Sequence, residues 1–177
     1  MTATCYALDV ESPVGTLRLV ADEDALVALD LPGRRGAELP ASPGHPLLAL
    51  AAAQLAGYFD GQRQEFDLPL RPAGTPFQRA VWEELRRIPF GTTCSYAALA
   101  QAVGRSGAAR AVGAANGQNP IAIVIPCHRV IGASGALTGY GGGLPLKRWL
   151  LAHERSVLGA EEAPAPGQSR QRRLHGM

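Results

Sequence analysis

One stretch decides how the second half of the chain folds: SYAALAQAVGRSGAARAVGAANGQ, residues 95–118. Ser95 is a typical helix N-cap, and the residues after it favour a helix from Tyr96 to Val103. The turn that begins at Arg105 leads to a second helix, Ala108 to Gln118. Two short helices joined by a glycine-containing turn have the spacing of a helix-turn-helix, although other small helical bundles share it.

The second of these helices has an almost bare surface. Most of its residues are alanine and glycine, among them Ala109, Ala111 and Gly113, and one long side chain, Arg110, projects from it. Small residues let a backbone approach a partner closely, and a lone arginine can enter a groove or a vacated base stack. The pattern indicates nucleic-acid binding, with tight packing inside the protein as the alternative.

Further helical patterns flank this pair, whereas the first 70 residues differ. Thr75-Pro76 predicts a helix that continues to Arg87, and Pro145 lies near the start of another helix over 144–154. The N-terminal pattern predicts short strands over 4–31 and 66–70 and one helix from Leu47 to Phe59. We therefore expect an α/β N-terminal domain with a small antiparallel sheet (1–70), a linker (71–76), a mainly α C-terminal domain (77–159) and a disordered tail (160–177).

Composition restricts the class of protein. The chain of 177 residues is 46% hydrophobic with a net charge of +2, and no apolar run is long enough to span a membrane. Residues 1–70 carry four Lys/Arg and ten Asp/Glu, whereas residues 71–159 carry ten and three. This asymmetry suggests a polyanion-binding part joined to an acidic part, or compositional drift on a solvated surface.

The three cysteines, Cys5, Cys94 and Cys127, are an odd number at wide spacing. They suggest no disulfide framework, and together with an N-terminus that lacks a signal-peptide pattern they favour the reducing cytoplasm. No histidine lies at a zinc-ligand spacing from them, so we expect no metal.

The segment NPIAIVIPCHRV, residues 119–130, contains the most informative pair of side chains. The Cys127 thiol, with an ordinary pKa of about 8.5, needs a base such as His128, and a carboxylate can orient that base. Glu154 is the acid nearest in sequence, and a water molecule could bridge Cys127 and His128. An inert core cysteine and a surface carboxylate are the alternatives. The glycine-rich loop over 132–143 could surround a flat ligand, with Tyr140 as a pocket wall or a core anchor.

These motifs, in this order, resemble the O6-alkylguanine-DNA alkyltransferases of the bacterial single-protein type. The resemblance covers about 77–154, and residues 1–70 match only loosely. It rests on PCHRV at 126–130, FGTTCSY at 90–96, ARAVG at 109–113, Asn119-Pro120, Tyr140 and WLLAHE at 149–154.

The resemblance implies a chemical role for each matched residue. Cys127 would accept the alkyl group of O6-alkylguanine or O4-alkylthymine, His128 would deprotonate the thiol through a water, and Glu154 would hold the histidine. Asn119 would tie the active-site turn to the helix-turn-helix. Tyr96 would protonate the departing guanine and help rotate the nucleotide out of the duplex.

The resemblance also implies how DNA is bound. Arg110 would fill the vacated stack from the minor groove, beside DNA contacts from Ala109, Ala111 and Gly113. Tyr140 would line the base pocket, while backbone groups of Cys127, Val130 and Gly141 would read the guanine edge. We expect a single-turnover transferase without a cofactor, acting on double-stranded DNA with alkylated bases and not on a membrane. We also expect a monomer in solution that could assemble cooperatively on DNA.

Two departures from the family pattern and three rival functions stay open. Cys5 has no partner cysteine nearby, so the zinc site of some relatives is expected to be absent. Gly141 stands where other members carry a larger residue, which leaves the preferred alkyl group open. The first rival is a lesion-binding protein without transfer activity, a class whose members lack the nucleophilic cysteine. The other two are a cysteine hydrolase and a plain transcription factor.

Overall fold

The computed structural model describes residues 2–34 and 36–159, so the predicted tail at 160–177 lies outside the described residues. Three antiparallel strands form the N-terminal sheet in the order β1-β2-β3: β1 (Tyr6–Val10), β2 (Leu17–Ala21) and β3 (Leu26–Asp30). Leu17 and Leu19 of β2 are fully buried, while Arg18 between them forms a salt bridge with Asp9. This alternation is the reason why one face of the sheet packs inward.

One helix, α1 (Pro46–Phe59), covers the inner face of this sheet. Its buried residues recur at helical spacing, at Leu48, Ala51, Leu55 and Tyr58. The stretch therefore has the one-sided apolar stripe that a surface helix needs. The α/β character expected of the N-terminal part is confirmed.

The prediction of a strand at 66–70 is wrong. Only Leu70 forms a bridge, to Leu26. The Gln54 side chain donates a hydrogen bond to the Asp67 carbonyl and accepts one from the Asp67 amide, at 2.9 Å each. These two backbone groups therefore do not pair with a neighbouring strand. Pro69 has no amide hydrogen to donate.

The C-terminal part is mainly helical, as expected. It contains α2 (Pro76–Leu85), α3 (Tyr96–Ala102), α4 (Ala109–Gly117) and α5 (Leu144–Val157). It also contains a parallel pair of two-residue strands that the sequence does not predict, β4 (Cys94–Ser95) and β5 (Val130–Ile131). Thr75 and Gln78 form the capping box at the start of α2, and Ser95 accepts from the Ala98 amide at 3.0 Å.

Helices α3 and α4 form a compact pair that is consistent with the predicted helix-turn-helix. Gly104 and Gly107 in the turn between them adopt positive φ angles of 73° and 86°, a region that favours glycine. Helix α4 packs against both α2 and α3, and Trp82 Nε1 donates to the Ala115 carbonyl at 2.8 Å. One face of α4 is therefore buried against α2 and α3, and the opposite face is exposed to solvent.

The N-terminal sheet and the C-terminal helices share one buried core. At the seam between them the Leu29 amide of β3 donates to the Pro120 carbonyl at 2.9 Å. No helix within residues 2–34 and 36–159 has the length and apolar character needed to cross a lipid bilayer.

Candidate active site

A tight loop between α4 and α5 places Cys127. Asn119 holds this loop from both sides, because its Nδ2 donates to the Ile125 carbonyl at 2.8 Å and its Oδ1 accepts from the Ile121 amide at 3.0 Å. Ile123 has a φ of 71°, which is a strained conformation for a β-branched residue. A single 3-10 turn over Cys127–Arg129 follows the loop.

Cys127 lines a pocket of about 130 Å³ between the two parts of the chain. Its side chain is almost completely buried. Burial raises the pKa of the Cys127 thiol, against the opposing effects of a hydrogen bond from Asn119 and the charge of Lys147. The thiol is therefore protonated near neutral pH and needs a base before it can act as a nucleophile.

His128 and Glu154 form a fully buried pair beside this thiol. The distance from His128 Nε2 to Glu154 Oε1 is 2.7 Å. Burial lowers the pKa of His128, which keeps the imidazole neutral despite the carboxylate. Because an ionised carboxylate only accepts hydrogen bonds, Nε2 carries the hydrogen and Nδ1 is the basic nitrogen. Within the described ranges Nδ1 has no hydrogen-bond partner.

Four residues in the described part of the chain donate hydrogen bonds to Glu154. Besides His128, the donors are the Tyr58 hydroxyl at 2.9 Å, the Gly91 amide at 3.1 Å, and the Arg129 guanidinium, whose Nη2 and Nε lie 2.8 and 2.9 Å from the two oxygens. Burial opposes ionisation, but the hydrogen bonds from His128 and Arg129 and the charge of Arg129 outweigh it and lower the pKa of Glu154. The carboxylate is therefore ionised and rigidly oriented.

Lys147 connects the glycine-rich loop to β5 through two hydrogen bonds. This fully buried side chain donates through Nζ to the Val130 carbonyl at 2.6 Å and to the Thr138 carbonyl at 3.0 Å. The Tyr96 hydroxyl donates to the same Thr138 carbonyl at 3.3 Å. Tyr96 thus contacts the loop, and in the described chain it does not line the pocket in front of Cys127.

The other predicted pocket residues are Tyr140, Gly141 and Val130. Tyr140 and Gly141 line the pocket, and the buried Tyr140 hydroxyl has no hydrogen-bond partner in the described part of the chain. Arg34 from the N-terminal part lies against Gly141, where an added Cβ would be 3.0 Å from the guanidinium carbon. Arg34 therefore occupies the space that a larger residue at position 141 would need. The Val130 side chain is fully buried.

The predicted DNA-contacting residues form a separate surface. Arg110 and Ala111 are exposed on α4, and Ala109 and Gly113 are half-buried. An added Cβ on Gly113 would lie 3.6 Å from the Tyr96 ring, so this surface of α4 adjoins Tyr96. The structure therefore assembles Cys127, His128, Glu154 and Asn119 at one centre and places Arg110 outside it.

Several residues of this centre escape sequence reasoning. Arg129 is recognisable only as a cation beside the Cys-His pair, and nothing in the sequence connects it with Glu154. Lys147, Tyr58 and Arg34 come from distant segments and carry no local signal. Within the described ranges no three His, Cys, Asp or Glu side chains lie close enough together to hold a metal ion.

Comparisons with known proteins bear on both parts of the chain. Residues 76–156 match the family model described as the DNA binding domain of 6-O-methylguanine DNA methyltransferase, and residues 4–72 match its ribonuclease-like domain. The chain belongs to the 6-O-methylguanine-DNA methyltransferase family. The N-terminal part, which resembles the family only loosely by sequence motifs, is therefore a member domain as well.

Named relatives agree with this assignment. A methylated-DNA–protein-cysteine methyltransferase of Mycolicibacterium paratuberculosis is 52% identical over 153 residues, which cover 82% of this chain and 90% of the relative. One from Methanosarcina barkeri is 47% identical over 152 residues, covering 84% and 96%. A crystal structure of Mycobacterium tuberculosis OGT in complex with DNA is similar with a TM-score of 0.82 and 45% identity, covering 92% and 96%.

Proposed function

We propose that this methyltransferase repairs DNA by a single transfer of an alkyl group from O6-alkylguanine, and also from O4-alkylthymine, to Cys127. The observation that carries the proposal is the protonated thiol that lines a pocket, beside a buried His128–Glu154 pair whose basic nitrogen has no hydrogen-bond partner among the described residues. Relatives named methylated-DNA–protein-cysteine methyltransferase match most of the chain and support the transfer to a cysteine.

The proposed step is a displacement at carbon. His128 Nδ1 takes the Cys127 proton through a water, the sulfur bonds to the alkyl carbon, and the bond from that carbon to guanine O6 breaks. Tyr96 supplies a proton to the departing guanine. Tyr96 regains a proton from solvent while His128 releases the one it took from the thiol, so overall one proton moves from the thiol to the base. The Glu154 carboxylate, which Arg129 holds in place, balances the positive charge that develops on His128. The thioether product has no evident route back to a thiol, so each molecule reacts once.

The substrate is double-stranded DNA with the damaged nucleotide rotated out of the helix. Extrusion costs a few kcal/mol and least for a badly paired base. Exposed Arg110 would fill the vacated stack, with Ala109, Ala111 and Gly113 beside it on α4, and Tyr140 and Gly141 would enclose the base. The M. tuberculosis relative crystallised with DNA supports this partner, as does the excess of Lys/Arg in residues 71–159.

Other parts of the proposal follow from the sequence. We divide the chain into domains at 1–70 and 77–159 with a linker at 71–76, and we expect a monomer that could assemble cooperatively on DNA. Action in the cytoplasm stays a prediction.

The deciding experiment incubates the protein with a duplex that contains one O6-methylguanine and maps the mass change by peptide. We expect one methyl group per molecule on Cys127 and none in Cys127→Ser, whereas the control Cys5→Ser reacts like the wild type. Binding of the duplex without any mass change would favour the alternative, an alkyl-lesion-binding protein without transfer activity. More than one transferred group per molecule would refute the single-turnover proposal.

A further inference from the structure

Tyr58 brings a hydroxyl from the N-terminal part into the buried centre of the active site. Its Oη donates to Glu154 Oε1 at 2.9 Å, and both side chains are fully buried. The neighbouring residue of α5, His153, donates through Nε2 to the Tyr58 carbonyl at 2.8 Å. Two consecutive residues of α5 therefore hold Tyr58, one by its side chain and one by its backbone.

The Tyr58 hydroxyl shares an acceptor with His128. Glu154 Oε1 accepts from Tyr58 Oη, from His128 Nε2 at 2.7 Å and from Arg129 Nη2 at 2.8 Å. A carboxylate oxygen has two lone pairs, so these three donors divide its charge among them. Each hydrogen-bond donor therefore weakens the electrostatic attraction between Glu154 Oε1 and the other two donors.

Tyr58 acts only as a donor in this arrangement. Burial, together with the charge and the hydrogen bond of Glu154, raises the pKa of Tyr58 far above its ordinary value, so the phenol stays neutral. Its ring is held by aromatic contacts, with centroid distances of 5.6 Å to Phe66 and 5.9 Å to Phe90. The hydroxyl therefore has little freedom to leave the carboxylate.

We propose that Tyr58 is a positioning residue of the alkyl-transfer site, which fixes Glu154 and limits how strongly this carboxylate attracts the proton on His128. The inference rests on the proposed function, in which His128 receives the Cys127 proton. It gives the N-terminal part a specific task in the chemistry, through one hydroxyl, in addition to its role in packing.

The variant Tyr58→Phe tests the inference, because it removes the hydroxyl and keeps the ring. Glu154 Oε1 then attracts the protonated form of His128 more strongly, which raises the pKa of His128. At a given pH a smaller fraction of His128 is neutral and able to accept the Cys127 proton. We expect the acid limb of the single-turnover transfer rate, measured on an O6-methylguanine duplex, to move up by roughly 0.5 to 1 pH unit. An NMR titration of the His128 imidazole, without DNA, should move in the same direction.

The charged and titratable groups around His128 stay the same in this variant. Among the described residues they are Glu154 and Lys147 from α5 and Arg129 from the 3-10 turn, and Cys127 precedes His128 in the chain. A shift of the acid limb can therefore be assigned to the Tyr58 hydroxyl.

Phe66→Leu is the matched control, because it removes a ring that packs against Tyr58 and leaves the hydroxyl in place. We expect wild-type pH dependence from it. An unchanged acid limb and an unchanged His128 titration in Tyr58→Phe would overturn the inference, and so would an equal shift in Phe66→Leu. A wild-type protein that takes no methyl group on Cys127 would refute the proposed function, and the His128 titration would then still decide whether Tyr58 acts on this pair.

Discussion

Arg129 is the full charge that balances the buried Glu154 carboxylate. Its Nη2 lies 2.8 Å from Glu154 Oε1, and both side chains are nearly or completely buried. Removing one partner of a buried ion pair leaves the other charge uncompensated in a medium of low polarity. We predict that Arg129→Met lowers the free energy of unfolding by about 3–5 kcal/mol, measured by urea denaturation.

The exposed pair between Arg86 and Glu83 provides the control. Its shortest N–O distance is 3.3 Å and its side chains are 39% and 65% exposed. Exposed pairs of this kind contribute about 0–1 kcal/mol, so Arg86→Met should change the free energy of unfolding by no more than that. Equal losses in the two variants would show that burial of the Glu154 carboxylate is not what makes Arg129 important.

His128 should make the stability of the protein depend on pH. Burial lowers its pKa in the folded state, whereas the unfolded chain protonates the imidazole below about pH 6.5. The unfolded state then binds more protons, so the free energy of unfolding falls as the pH falls from about 6.5 toward the folded pKa. The lowered pKa of Glu154 adds a loss of the same sign at pH values below about 4.3.

We predict that His128→Gln, which keeps a donor for Glu154, flattens this dependence. Urea denaturation at about pH 7.5, 6.5 and 5.5 should give a smaller decrease for the variant than for the wild type. A decrease of the same size in both proteins would assign the titration to another group.

The residues of the site differ in how far sequence can predict them. Cys127 and His128 are adjacent, and Glu154 belongs to a helix with few other acids nearby, so residue types alone bring these three to attention. Tyr58 lies 96 positions from Glu154. It has no local pattern that distinguishes it from a core tyrosine, because its role exists only once α1 and α5 have packed together.

At the scale of the elements, prediction succeeds where a local rule determines the structure. Capping residues and helical spacing predict α1 to α5 to within a few residues at their ends. The two-residue strands β4 and β5 have no period to detect, because their pairing is made by the tertiary fold. The strand expected at 66–70 is lost to a side-chain interaction, that of Gln54 with the backbone of Asp67.

Helix α4 should serve DNA binding separately from the chemistry at Cys127. Arg110 is exposed on this helix and does not line the pocket that contains the thiol. We predict that Arg110→Ala slows methyl transfer from an O6-methylguanine duplex by about 10- to 100-fold, because the vacated stack is no longer filled. Transfer from the free O6-methylguanine base should be unchanged, and so should the free energy of unfolding.

Arg148→Ala is the control for the loss of one positive charge, because this residue is exposed on α5. It should affect duplex transfer much less than Arg110→Ala does. If the two variants slow the reaction equally, Arg110 contributes only general electrostatic attraction. If Arg110→Ala also slows the reaction with the free base, the separation of binding from chemistry is wrong.

At the scale of the whole molecule, the charge asymmetry divides the chain into two parts, whereas the shared core joins them. The acidic residues 1–70 and the basic residues 71–159 could belong to independently folding units. The structure instead places the pocket between the two parts, with Leu31 and Arg34 on one side and Cys127 and Tyr140 on the other. An opening of the seam between them would take the pocket apart.

The shared core predicts that the two parts unfold together. Leu29 of β3 is 2% exposed and forms a bridge to Ile121 across the seam, so Leu29→Ala leaves a cavity in a core that belongs to both parts. We expect a loss of about 2–5 kcal/mol, seen equally in the hydrogen exchange of the most protected amides of β2 and of α4. The control Leu50→Ala, at a residue that is 46% exposed on α1, should change neither. A loss confined to the β2 amides would mean that the N-terminal part opens alone, and the pocket would then depend on a docking equilibrium between two separately stable domains.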